Sequence, residues 1–568
     1  MTKKIKYLSL ILLGICFIAF FILALPPTSK FIISIVEQLM GRELRDPGRW
    51  IEIIQHCSTI AMCIIGLTFY LGFSKHGNNF TKEILQECNP FFQFIKTKKF
   101  YILLLGTFTF YFLCFYKIIL SDFYYEDDLW RSYDGSRSWI GFSRYISEFL
   151  SIILHTNLYL PDIAPLTQLF AIGIMSFSTI LLAWLITDGK VTIISIIICS
   201  LLFLSPYNAQ NLSYRFDSTY MALSALFPMI PFLFMKNRKI FIFSSIICLI
   251  LCCMSYQSGT SIYILLSIYF ATSSWLRRES YKEIGTFAGI AVCSFAIALI
   301  IFKLLFMNTL EDSSDLYYST SLSLNIIPQN IYNYIKTTTS NYGGWWIKIC
   351  ILLSAIVAFI QSIKISKQNK VITCIFIIGI SSIAYILSYG PYLIFSRPLL
   401  APRALTGFSM LITLLGMSIY NNSGLSLNIK YKPAIIPIVC LIYGFIVFHF
   451  AYGVALSEQK EYQDFRSTIL LSDLSKYAQP EKTNNISFSG SIGLSNNLSV
   501  NVNTFPLIKE LIASVPNSGC IWNDDLLKSY NFECDDKYLS ENPGFPLLIQ
   551  SYYHDIYGKD NNFFIVLK

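Results

Sequence analysis

Long apolar runs broken by short basic or polar links set the pattern of this chain. Runs long enough to cross a bilayer fall near 5–25, 51–73, 100–120, 162–186, 191–205, 219–235, 240–255, 259–276, 285–306, 345–363, 371–389, 404–420 and 433–455, because roughly 20 residues of helix span the hydrocarbon core. The pattern predicts an all-α polytopic membrane protein with about thirteen transmembrane helices. The N-terminus, MTKKIKYLSLILLGICFIAFFILAL, has a basic head and an apolar run longer than a signal-peptide core, and reads as an uncleaved first helix.

Placing the N-terminus in the cytoplasm puts SKHGNNFTKEILQECNPFFQFIKTKKF, TDGK, KNRK, LRRESYK, KISKQNK and NIKYK on that side, nearly all of them basic. The opposite links are PYNAQNLSYRFDS, MSYQSG, residues 307–344, YGPYLIFSRPLLAPR and the polar stretch after residue 120. Within 307–344, Glu311, Asp312 and Asp315 precede a short helix that Asn325 can cap. Residues 137–160 are amphipathic, with Trp139, Phe142, Ile146, Phe149 and Ile153 at helical spacing, and are expected to lie along the outer membrane face.

Past residue 455 the periodicity changes. EQKEYQDFRSTILLSDLSKYAQ reads as a soluble helix, TFPLIKELIASVP as another, and NNISFSG and FFIVLK as strands. Three units are therefore expected: a two-helix extension with its cytoplasmic loop (1–99), a transmembrane domain (100–455), and a small α/β domain (456–568). An odd number of crossings from an inside N-terminus puts the last unit outside, where Cys520 and Cys534 could pair.

Composition supports the membrane assignment: 54% of residues are hydrophobic and only 14% charged, against roughly 25% for soluble domains. The net charge of +9 sits in the alternate basic links, as a topology signal, and so does not point to nucleic acid. The sequence carries no glycine-rich phosphate loop, metal-ligand motif or internal repeat.

Residues 121–148 form a charged and aromatic island between two apolar runs. Glu126, Asp127 and Asp128 are consecutive, and carboxylates beside a membrane lose hydration at a cost unless something compensates them. Arg131, Arg137 and Arg144 follow, able to neutralise the acids or a bound phosphate. Other outward links add Arg215 and Asp217 in YRFDS, Tyr256 and Gln257 in SYQSG, and Arg397 and Arg403 in SRPLLAPR. Bidentate arginines suit a lipid-linked phosphate, and a carboxylate beside them can act as a general base or orient a sugar hydroxyl. Taken singly, the acids and arginines also fit surface ion pairs or interface anchors.

In order, YYEDDLWR, GFSR, LSYRFDSTYMALS, SYQSG and APRAL resemble the bacterial O-antigen glucosyltransferases of the serotype-converting type, over roughly residues 100–455. The resemblance implies a C-type glycosyltransferase working on the periplasmic side of the bacterial inner membrane, the side on which the crossing count puts the C-terminal domain. It implies a polyprenyl-phosphate sugar donor, an O-antigen acceptor, and inverting transfer with one carboxylate of the triplet as base. The arginines Arg131, Arg144, Arg215, Arg397 and Arg403, with Asp217, Tyr256 and Gln257, would then form the substrate site. No obligatory cofactor or metal is expected, although Glu126, Asp127 and Asp128 could ligate a divalent ion. Helices one and two look like an extension beyond the family pattern. The chief rival is a transporter or flippase of lipid-linked sugars, which would show repeat-related halves; no second YYEDD occurs.

Overall fold

The computed structural model describes residues 3–40, 74–307, 319–342, 344–422, 434–479, 482–537 and 539–568, with scattered residues of 51–69. Glu311, Asp312, Asp315, most of the run 51–73 and the NIKYK link lie outside the described residues.

Among the described residues six helices are long and apolar enough to cross a membrane: Lys98–Leu120, Leu166–Ile186, Tyr281–Leu305, Trp345–Ile365, Lys370–Leu387 and Ile436–Leu474. Two bent pairs, Leu12–Ala24 with Pro26–Gln38 at 84° and Ile193–Leu204 with Pro206–Ser213 at 56°, bring the count to eight at most. The chain is thus a mostly helical protein whose apolar helices suit a membrane, but the expected count of thirteen spans is not reached by this measure. Prolines explain part of the shortfall, since proline lacks the N–H a helix needs and clashes with the preceding turn. Pro206 starts the second limb of a broken span, while Pro228 and Pro231 sit in the tight turns of Phe227–Phe234. Arg238–Cys253, Thr260–Leu276 and Thr406–Asn422 are helical as expected but only 16 or 17 residues long.

Two glycines mark close approaches. A Cβ at Gly259, in SYQSG, would stand 2.1 Å from the Ser224 carbonyl oxygen, and one at Gly407 would stand 2.0 Å from that of Ser388. Only glycine lets these segments pack against the neighbouring chain.

The amphipathic stretch is not one helix. Trp139–Phe142 is a short 3-10 turn, Ser143 takes a left-handed backbone at φ 61, and the helix proper is Tyr145–His155. Phe149 and Ile153 are exposed as expected for a membrane face, but Trp139 is fully buried. Asn325 does not cap the helix Ile327–Ser340, whose N-cap is Ile326 without a side-chain bond.

The last span does not stop at the membrane. Ile436–Leu474 is one 39-residue helix, so the segment expected as a separate soluble helix continues the span as a rigid arm. It carries a five-stranded sheet in the order Cys534–Asp536, Asn484–Ser489, Asn562–Leu567, His554–Lys559, Leu547–Gln550. Asn484–Ser489 runs parallel to both neighbours, and the remaining pairs are antiparallel. Its core, with Ile486, Phe488, Ile556 and Ile565, packs on Leu470 and Leu474 of the arm. TFPLIKELIASVP, expected as a helix, is helical only over Leu507–Leu511, and a separate short helix, Ser499–Thr504, leads into it. Cys520 and Cys534 are free thiols, not a disulfide.

Candidate active site

The helix Lys98–Leu120 delivers the chain to the acidic island, where Asp122 and Glu126 adopt left-handed backbones at φ 52 and φ 48. Such conformations are costly for residues other than glycine and persist where surrounding contacts hold them. They fold the loop back on itself and send the three acids in different directions.

Asp128 points inward and is fully buried. One of its oxygens accepts from the backbone N–H of Arg215 at 2.8 Å and of Tyr125 at 3.3 Å. Burial pushes its carboxyl well above the usual carboxylate range. Asp128 therefore ties the acidic loop to the YRFDS segment. Glu126 accepts from the Tyr214 hydroxyl and pairs with Arg403 at 3.1 Å. Asp127 has the least engaged carboxylate: it is half-buried, and the one hydrogen bond to its side chain among the described residues comes from the indole N–H of Trp522, at 3.3 Å.

The arginines divide in the same way. Arg131 is buried against Asp217, whose other oxygen accepts from the Trp139 indole, and its guanidinium lies over the Trp139 ring. Arg137 pairs with Glu148 at 2.8 Å. Arg215 pairs with Asp122 at 2.6 Å and Asp162 at 2.8 Å. Arg397 lies in the strand Phe395–Arg397, paired with Ser319–Leu322. The Arg403 backbone N–H donates to Gln210, which in turn donates to the Tyr125 hydroxyl, so this side chain joins three links.

Arg144 differs from these. Its guanidinium lies over the rings of Tyr256 and Phe142, 4.5 and 5.4 Å from their centroids, and it forms no ion pair among the described residues. It edges a mostly apolar cavity of about 320 Å³ lined in part by Leu299, Lys303, Tyr392 and Gln257. Gln257 donates to the Phe142 carbonyl oxygen at 3.2 Å, fixing that wall. Tyr256, buried between them, feels the charges of both Arg403 and Arg144. A continuous row therefore runs from the acidic island through Arg403 and Tyr256 to Arg144 and the cavity. Cation–π contact holds a guanidinium without neutralising it, which leaves Arg144 available to an anion.

The C-terminal sheet domain reaches the same place. Tyr133 donates to Asp525 at 2.6 Å, Lys460 of the arm pairs with Asp122 at 2.8 Å, and Leu129 packs with Val515 and Leu526. Burial raises the Asp525 carboxyl to about 6. No group of three or more His, Cys, Asp or Glu side chains gathers as a metal site among the described residues.

The structure thus brings Glu126, Asp127, Asp128, Arg131, Arg215, Asp217, Tyr256, Arg144 and Arg403 into one connected region. Sequence reasoning missed Asp122, Asp162, Gln210 and Trp522, and set Trp139 on a membrane face rather than against Asp217. YRFDS drew attention to Arg215, but its partners Asp122 and Asp162 lie far apart along the chain. Trp522 could have been found only as an aromatic in a domain already expected outside the membrane.

Residues 116–414, a little over half of the chain, match the family described as Glucosyl transferase GtrII. A relative from Salmonella phage P22, described as an uncharacterized 55.3 kDa protein in the gtrB 5' region, is 24% identical over 447 residues, covering 74% of this chain and 89% of its own. The matched span holds the acidic island, YRFDS, SYQSG, the Arg144 cavity and SRPLLAPR, and on that match this chain belongs to the GtrII glucosyl transferase family.

Proposed function

We propose that the protein transfers a glucosyl residue from a polyprenyl-phosphate donor to an O-antigen glycan on the periplasmic side of the bacterial inner membrane, with inversion at the anomeric carbon. The observation that carries this reading is Arg144: a guanidinium without an ion pair among the described residues, lining an apolar cavity and joined by Tyr256 and Arg403 to Glu126 of the acidic loop, where the carboxylate of the adjacent Asp127 is bound only by an indole N–H. An apolar chamber with a cation at its edge suits a phosphate carried on an isoprenoid chain. Asp127 takes the proton of the acceptor hydroxyl as that oxygen forms its bond to the anomeric carbon. The bond from that carbon to the phosphate oxygen breaks, and its electron pair leaves with polyprenyl phosphate. The leaving phosphate gains one negative charge, which Arg144 stabilises where it develops.

Glu126 and Asp128 take other parts. Glu126 orients Arg403, and Asp128 holds the backbone of Arg215. Because Glu126 is committed to Tyr214 and Arg403 and Asp128 is fully buried, the reaction is written without a metal. The outward-facing topology rests on the alternation of basic links.

The experiment is direct. Purified protein in lipid nanodiscs is given a labelled synthetic polyprenyl-phosphate glucose and an O-antigen acceptor. Label in the glycan together with free polyprenyl phosphate is expected; label transferred equally well from a nucleotide sugar, or not transferred at all, would contradict the proposal.

A further inference from the structure

Asp127 sits in the transmembrane domain, yet the one hydrogen-bond partner of its carboxylate among the described residues comes from the other end of the chain. Trp522 precedes the helix Asn523–Ser529 in the sheet domain, and its indole N–H reaches Asp127 Oδ1 at 3.3 Å. The contact is held from both sides. Behind Trp522, Leu526 and Val515 pack on Leu129, two residues beyond Asp127, with Tyr124 and Ala513 alongside. Beside it, Tyr133 donates to Asp525 at 2.6 Å, and Lys460 pairs with Asp122 at 2.8 Å. Three separate contacts thus clamp the domain onto the loop that carries the acids, on a stiff helical arm continuous with the last span.

Building on the reading of Asp127 as the base, we propose that Trp522 is its positioning residue, so that the C-terminal sheet domain is part of the active site rather than an appendage. An isolated carboxylate on a short loop turns freely about its χ angles, whereas catalysis needs one oxygen held within hydrogen-bond reach of the acceptor hydroxyl. The indole N–H occupies Oδ1 and leaves Oδ2 for that hydroxyl. Glu126 and Asp128 need no such device, because they are fixed by Tyr214 with Arg403 and by two backbone N–H groups. The arrangement also places the acceptor between the acidic loop and the sheet domain, since Asp127 lies where the two meet. The acceptor class this fits is a glycan hydroxyl presented from outside the membrane, while the lipid donor lies on the Arg144 side.

Trp522→Phe keeps the ring and its packing but removes the N–H. In the nanodisc assay it should lower kcat roughly tenfold, while donor binding and the thermal midpoint remain those of the wild type and the acceptor KM changes little. Trp522→Ala, which also removes the ring from the wall, should add a rise in acceptor KM. The phenylalanine variant keeps the test decisive if the alanine variant does not fold. Wild-type kcat in Trp522→Phe would overturn the inference, as would a parallel loss of kcat, donor binding and thermal midpoint, because a merely structural contact gives that pattern. The two claims separate cleanly: transfer surviving in Asp127→Asn removes the base itself, whereas an inactive Asp127→Asn with a fully active Trp522→Phe removes only the positioning role.

Discussion

Arg131 and Arg144 stand in the same loop, and both rest on aromatic rings, but they end in opposite conditions. Arg131 closes a knot with Asp217 and the Trp139 indole, buried from every side. Arg144 meets rings alone and edges a cavity. The adjacent acids differ in a related way: each keeps one oxygen without a hydrogen bond among the described residues, but Asp128 is fully buried with its other oxygen on two backbone N–H groups, whereas Asp127 is only half-buried. Charge beside a membrane is therefore no site in itself. A buried pair that satisfies itself is architecture, and chemistry belongs where a charge is held in place without being compensated.

That comparison breaks or sharpens in a graded series. The largest effect is expected at Asp127: replacing it by asparagine preserves shape and removes basicity, and should slow transfer by roughly 10² to 10⁴, read as labelled glycan per minute. At the closed knot, Arg131→Ala leaves Asp217 buried and unpaired, which should cost about 3–5 kcal/mol of stability. Thermal unfolding in detergent measures it, and an unchanged midpoint would mean that the knot is not structural.

At the open arginine, Arg144→Ala should reduce kcat/KM for the lipid donor about thirty-fold or more, on a loss of roughly 2–5 kcal/mol, with Arg144→Lys only partly restoring it. The midpoint should hardly move. If Arg131→Ala and Arg144→Ala gave the same mixture of instability and lost turnover, the distinction between them would fall.

The smallest effect is at Asp525, where the domain clamps the loop. Its folded-state carboxyl is raised to about 6 by burial, above the ordinary value of about 3.9. The folded protein therefore binds the proton more tightly than the unfolded chain, and the stability this group contributes falls as pH rises from about 4 through 6. Asp525→Asn, which can still accept from Tyr133, should raise the thermal midpoint at pH 7.5, with the gain shrinking towards pH 4. A gain independent of pH would show that the burial cost is not the cause.

Much of this region was legible because ionisable groups between long apolar runs are conspicuous. YYEDD, YRFDS, SYQSG and APRAL stood out on that ground, and the strands Asn484–Ser489 and Asn562–Leu567 fell where the alternation placed them. The number of spans was less legible. Run length does not register a bend at Pro206 or the tight turns around Pro228 and Pro231, nor that the last span would continue into the soluble arm. Least legible was the division of labour among the charges. Asp122, Asp162 and Glu126 each take up an arginine that sequence alone offered to a phosphate, and only three-dimensional pairing shows which remains. Trp522 lay out of reach for a similar reason, since its partner Asp127 belongs to another domain.

The central claim is that Asp127, and not its neighbour, takes the acceptor proton. It is tested most directly by measuring transfer by purified Asp127→Asn and Asp128→Asn side by side, with binding of the polyprenyl-phosphate donor followed in both. Asp127→Asn should bind donor and transfer nothing detectable, whereas Asp128→Asn, whose amide oxygen can still accept from the N–H groups of Tyr125 and Arg215, should keep transfer within roughly tenfold of the wild type. A folded, donor-binding Asp128→Asn without activity beside an active Asp127→Asn would contradict the account.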